Sequence, residues 1–231
     1  MLRTLIFVFF ACQVWSQSLK GTATTLDGKT LLYVEIHKIQ NDDKGLNSKI
    51  ETFYKDPKGE TFAQMTSDFS KHKTLPDIQF SDTRFSIKEE MILDEKTQKV
   101  EFRLFQKDQL KMKKQIPVEG EMAAGQGFDN FVKLNYEKLQ SKTLPLTFGV
   151  VSKLDFFSFK AYKKGSAKPG QTEFGIDLLN FVYRLFSSEL LLSYEDTTKR
   201  LLTYRGLSNL LDKNGKSQTV LIKYEPLLEA P

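Results

Sequence analysis

From residue 31 to residue 116 the chain repeats one unit: a short run of alternating apolar and polar residues, then a turn. No other feature constrains the fold as much. A strand cannot satisfy its own backbone, so consecutive runs joined by tight turns must pair with one another. In residues 31–39, Leu32, Val34 and Ile36 share one face and Glu35 and His37 the other. That period of two assigns the aliphatic side to a core and the Glu35/His37 side to solvent. Residues 50–54 and 61–65 flank Asp56-Pro57-Lys58-Gly59, where Pro and Gly stand as a tight turn requires, and predict a hairpin. Residues 85–93, 100–105 and 110–116 follow as successive antiparallel neighbours.

The rhythm breaks at Gly120. Residues 120–127 are glycine-rich and read as a flexible hinge before a helix. That helix is predicted from Phe128 or Asp129 to about Gln140, with Phe128, Phe131, Leu134 and Leu139 at near-helical spacing and Asp129 as cap. Residues 146–162 read as strand again, apolar on both faces, since Leu154 and Phe156 alternate with Phe157 and Phe159. A second helix is predicted from Asp177 to Phe186. A hairpin of residues 189–194 and 200–204 follows, then a last strand, 219–224, after the turn Asp212-Lys213-Asn214-Gly215. No composition break divides the chain, so residues 17–225 are expected to form one domain, with a loose tail at 226–231. The fold class is mainly antiparallel β with two helices, a curved sheet or open barrel wrapped around or capped by helices.

Residues 1–16 have the form of a secretory signal peptide: Arg3, an apolar run from Leu5 to Ala11, and Val14-Trp15-Ser16 at the cleavage site. The run falls short of the roughly 20 apolar residues a bilayer span needs, so the mature chain is expected to have no transmembrane segment. The only cysteine, Cys12, lies inside this leader, which leaves the mature chain without a disulfide, a thiolate nucleophile or a zinc thiolate. Phe9-Phe10-Ala11-Cys12 also resembles a bacterial lipobox, the alternative in which Cys12 is lipidated and the protein anchored. None of the seven asparagines begins a glycosylation sequon. Together with the missing cysteines, this points to a bacterial periplasm.

Charge adds little. Lys and Arg number 34 against 29 Asp and Glu, and the cations are scattered apart from clusters at Lys111, Lys113, Lys114 and at Lys160, Lys163, Lys164, Lys168. There is no dense basic stripe, so no nucleic-acid partner is expected. Gly120 and Gly125 carry the outline of a phosphate loop, but no Lys and no Ser or Thr follow the second glycine. The two histidines, His37 and His72, stand far apart, and no Gly-x-Ser-x-Gly elbow exists. No catalytic residue, metal ligand or cofactor is assigned.

The aromatics are more specific. The nineteen Phe and eight Tyr concentrate at 128–131, 148–162 and 174–186, and core packing accounts for most of them. The remainder is assigned to an apolar groove between sheet and helices, lined by Phe128, Phe131, Phe148, Phe156, Phe157, Phe159 and Phe181. Leu192-Ser193-Tyr194-Glu195, the stretch from Lys199 to Asn209 and Val220-Leu221-Ile222-Lys223-Tyr224 resemble a pattern in uncharacterised exported proteins of Gram-negative bacteria. The architecture is similar to periplasmic lipoprotein-carrier folds, open barrels curled around helices. That resemblance implies a hydrophobic ligand and transfers no catalytic residue. Within it, Gly206 is expected at a strand end, where a bulge or positive φ needs glycine. The leading expectation is a non-enzymatic periplasmic protein that binds a lipid, acyl chain or lipidated peptide. The alternative is an envelope assembly factor that binds a protein partner through exposed strand edges and basic patches. A hydrolase is the third, and it requires His37 or His72 to line a cleft beside a carboxylate.

Overall fold

The computed structural model describes residues 17–179 and 190–227. The expected leader 1–16, Phe181 with most of the second expected helix, and residues 228–231 lie outside them. The first half contains eight strands: β1 (Gln17–Thr24), β2 (Leu31–Asn41), β3 (Asn47–Lys55), β4 (Thr61–Asp68), β5 (Asp77–Asp82), β6 (Ile87–Asp94), β7 (Lys99–Gln106) and β8 (Gln109–Pro117). A short β9 (Met122–Ala124) leads into helices α1 (Gly127–Leu134) and α2 (Tyr136–Leu139). Then come β10 (Leu144–Val150), β11 (Asp155–Lys168), β12 (Gln171–Leu178), β13 (Leu190–Glu195), β14 (Leu201–Leu211) and β15 (Ser217–Pro226).

All fifteen strands form one open, curved sheet, ordered β8-β7-β6-β5-β4-β3-β2-β1-β15-β14-β13-β12-β11-β10-β9. Every neighbouring pair is antiparallel except β9–β10. The expected meander is therefore present, and β1 joins its two halves by pairing with β2 on one side and β15 on the other.

Turn chemistry sets the registers. In Asp42–Gly45, Asp56–Gly59 and Asp212–Gly215 the glycine has positive φ, and one aspartate oxygen accepts the backbone N–H groups two and four residues on, at 2.8–3.0 Å. The same four-residue solution recurs because Asp mimics a backbone acceptor and Gly alone enters the left-handed region cheaply. The β7–β8 hairpin instead turns on Lys107-Asp108, both at positive φ, the geometry that matches strand twist.

The sheet curls until its ends approach. Ala124 N–H donates to the Thr74 carbonyl at 3.0 Å, the Phe102 and Phe156 ring centroids lie 5.3 Å apart, and Lys114 pairs with Asp155 at 2.6 Å. One core lies between the concave side of the first half and the β9–β11 end, around Tyr33, Tyr54, Ile78, Met91, Phe102, Ala124 and Leu154. A second lies between the helices and β10–β13, around Phe131, Val132, Tyr136, Leu146, Phe174 and Tyr194. β9 is buried on both sides, Ala124 facing the first core and Ala123 the second.

Five expectations need correction. On β2 the buried face is Tyr33, Glu35, His37 and Ile39, while Val34 and Ile36 point to the outer side, half-buried, and Leu32 is half-buried at the margin of the first core. Residues 146–162 are not one strand but a hairpin turned by a 3-10 segment, Val151–Lys153, and by Leu154 at φ 50°. Asp177 and Leu178 end β12 rather than open a helix. The glycine segment is packed, not loose: a Cβ on Gly125 would meet Ile78 at 2.6 Å, and one on Gly127 would fall 2.0 Å from the Thr74 carbonyl oxygen. Gly206, likewise, lies inside β14 in regular register with Val220. A Cβ there would lie 2.6 Å from Leu190 Cδ1, a flexible side-chain end that would have to shift.

Candidate functional site

Among the described residues, the expected aromatic lining is spread over the two cores. Phe131 is 2 % exposed within the helix-side core. Phe128, Phe148 and Phe159 pack against the same core, Phe148 and Phe159 edge to face. Phe156 points to the other side of the sheet, against Phe102. Phe157 is half-buried beside Phe148 in the β10–β11 register, and Phe181 lies outside the described residues. Two shallow hollows of about 190 and 220 Å³ sit on the outer face of the sheet.

What the sequence concealed is a buried polar network on the concave face. His37 Nε2 lies 2.9 Å from Glu35 Oε2, and its Nδ1 lies 2.9 Å from Thr52 Oγ1. Gln126, in the loop before α1, donates to Thr52 Oγ1 at 2.9 Å and accepts from Ser67 Oγ at 2.9 Å. Tyr224 on β15 donates to Glu35 at 3.1 Å and packs its ring 5.7 Å from that of His37. With the imidazole proton on Nε2, donated to Glu35, Nδ1 accepts from the Thr52 hydroxyl and the ring is satisfied. Burial pushes the Tyr33 and Tyr224 hydroxyls well above their ordinary value, with the charge of Glu35 adding to it, so both stay protonated donors.

Hydroxyl, imidazole and carboxylate stand here in the order of a nucleophile relay. The hydroxyl, however, belongs to a residue 1 % exposed, and Glu35 and His37 are buried as well. The cleft that a hydrolase would need at His37 is not found among the described residues. At His72 there is no relay: its Nδ1 accepts the backbone N–H groups of Thr74 and Leu75 and holds the loop. Among the described residues, no three His, Cys, Asp or Glu side chains converge on a point that could hold a metal ion.

The network's visible work is to seat α1. Asn130 accepts the Asn47 backbone N–H and donates to the carbonyls of Asn47 and Lys73 at 2.7–2.9 Å. Asp129 receives Asn47, Tyr194 and Lys133 rather than capping its own helix.

The opposite end of the sheet, at β8, is uncovered. β8 pairs only with β7, and every residue from Gln109 to Gln115 is exposed, Leu110 at 51 % and Met112 at 56 %. Met112, Leu104, Glu89 and Phe80 form one cross-strand row on the concave side. Burial pushes the Glu89 carboxyl up to about 7, against the opposing charge of Lys153 and with help from Asp82. Lys113 and Arg103 project from the convex side and share Glu101. No helix of the described residues is long and apolar enough to cross a membrane. No protein-family model matches this chain, and no curated protein sequence matches it either.

Proposed function

We propose that this protein is a non-enzymatic exported factor that engages an envelope protein through the uncovered end of its sheet. The observation that supports this is the inequality of the two ends. β9 is sealed between two cores, with Met122, Ala123 and Ala124 all buried, whereas β8 presents an unpaired backbone edge and exposed Leu and Met side chains. Unpaired edges are the usual template for strand addition by a partner. A photo-crosslinking residue placed at Met112 and, as control, at exposed Ser158 tests it in the native cell. A discrete adduct from position 112 alone is expected; no adduct there, or the same products from both positions, overturns the reading.

A second reading, an acyl chain or similar apolar ligand, draws on the half-buried Leu104, Ile116, Val118 and Val151, which pack against the first core, and on Met112 opposite Leu104. Native mass spectrometry with added fatty acid decides it: a retained adduct supports it, and a ligand-free spectrum removes it.

A further inference from the structure

The β7–β8 hairpin is one of two cationic stretches of the chain, the other being Lys160, Lys163, Lys164 and Lys168 on β11. Between Lys99 and Pro117 stand six cations, Lys99, Arg103, Lys107, Lys111, Lys113 and Lys114, and only two carboxylates, Glu101 and Asp108. That excess of four nearly equals the net charge of +5 of the whole chain. The hairpin's own carboxylates do not neutralise it: Glu101 is shared by Arg103 and Lys113, Arg103 also reaches Glu90 of β6 at 3.3 Å, and Asp108 is taken by Lys88 of β6. Lys99, Lys107 and Lys111 have no carboxylate partner among the described residues, and Lys111 reaches only the Gln109 side-chain oxygen.

The arrangement along β8 is directional. Met112 and Ile116 point to the concave side with Lys114, whose charge is met by Asp155. Lys113 and Gln115 point to the convex side, and Lys111 occupies a bulge opposite Leu104 and Phe105. Lysines, a bulge and a terminal proline are the devices by which sheet edges repel indiscriminate pairing. A charge barrier of one sign is also a filter, because a strand of opposite sign is attracted where others are turned away.

We infer that β8 is the docking edge for an extended acidic segment of a protein partner, adding as a further strand with carboxylates on the convex side and apolar residues on the concave side. This rests on the reading that the exposed end of the sheet faces a protein. A second copy of this chain does not meet the requirement, since it would bring another excess of four positive charges to the same edge. The alternation follows from strand geometry: a partner paired to β8 lays every second side chain beside Met112 and Ile116 and the others beside Lys111 and Lys113.

The test uses the full mature chain and synthetic peptides of about eight residues: alternating glutamate and valine, alternating lysine and valine, and glutamate and valine in two blocks. Hydrogen exchange at residues 109–117 is the readout. The alternating acidic peptide is expected to bind and slow exchange there, and the other two are not. Lys111→Glu with Lys113→Gln should weaken that binding by at least about tenfold. The exposure of both positions leaves the fold intact, and unchanged exchange in β1 and β15 checks it. Equal binding of the acidic and basic peptides, protection elsewhere, or no binding overturns the inference. If the peptides fail while the Met112 adduct forms in the cell, the partner chemistry is wrong and the docking face stands. Loss of both removes the face as well.

Discussion

Gly127 approaches Thr74 so closely that a Cβ on the glycine would lie 2.0 Å from the Thr74 carbonyl oxygen. Backbone cannot yield as a flexible side chain can, so the start of α1 and the β4–β5 loop fit only with hydrogen at this position. Gly127→Ala is expected to cost about 3 kcal/mol, measured by denaturant unfolding. Gly120→Ala, at positive φ with nothing within 4 Å of its Cβ, should cost about 1 kcal/mol. Equal losses would show that crowding at Thr74 is not what demands glycine.

The Glu35–His37 pair predicts a graded response. Glu35→Ala strands His37 Nε2 and the Tyr224 hydroxyl in a buried site, and a loss of about 3 kcal/mol is expected. Thr52→Val keeps the volume but removes the partner of Nδ1 and of Gln126, at about 2 kcal/mol. Because the two share one network, the double variant should lose less than the sum. Full additivity would show that these bonds act independently.

Glu89 carries a pH dependence. Its carboxyl is pushed from 4.5 in the unfolded chain to about 7 in the folded one by burial. Between those values the folded state binds a proton the unfolded state lacks, so stability falls as pH rises through the window, by about 3 kcal/mol in total. Glu89→Gln should be more stable than the parent at about pH 8, with the advantage gone at about pH 4. A pH-independent difference between the two would contradict the burial of this group.

Phe131 and Phe157 separate core from lining. Phe131→Ala should cost about 4 kcal/mol, and Phe157→Ala, only half-buried, about 1–2 kcal/mol. A small loss at Phe131, in thermal or denaturant unfolding, would mean that its ring faces a void rather than packed neighbours.

Period and turns were legible; the sign of a face was not. Asp56–Gly59 and Asp212–Gly215 announce their turns, and Asp42–Gly45 repeats the same spacing and could have been found with them. On β2, alternation is plain, yet choosing Leu32, Val34 and Ile36 as the core side inverted the strand. Hydropathy misleads there because Glu35 and His37 are paid for by Thr52, Gln126 and Tyr224, partners 15 to 189 positions away. The turn at Val151–Lys153 carries no Gly, Pro or Asn, and its left-handed residue is Leu154, held by burial in the core rather than by local preference. β8 is legible as a strand, but whether it is an edge depends on the order of all fifteen, which no local pattern contains.

The first and last strands of the sheet meet at its centre, β1 against β15. A chain that emerges from one end can zip β2 to β8 as it appears, but its opening segment keeps one flank bare until the closing one arrives some two hundred positions later. Any interruption of synthesis before residues 217–226 therefore leaves a bare flank in the middle of a half-made wall.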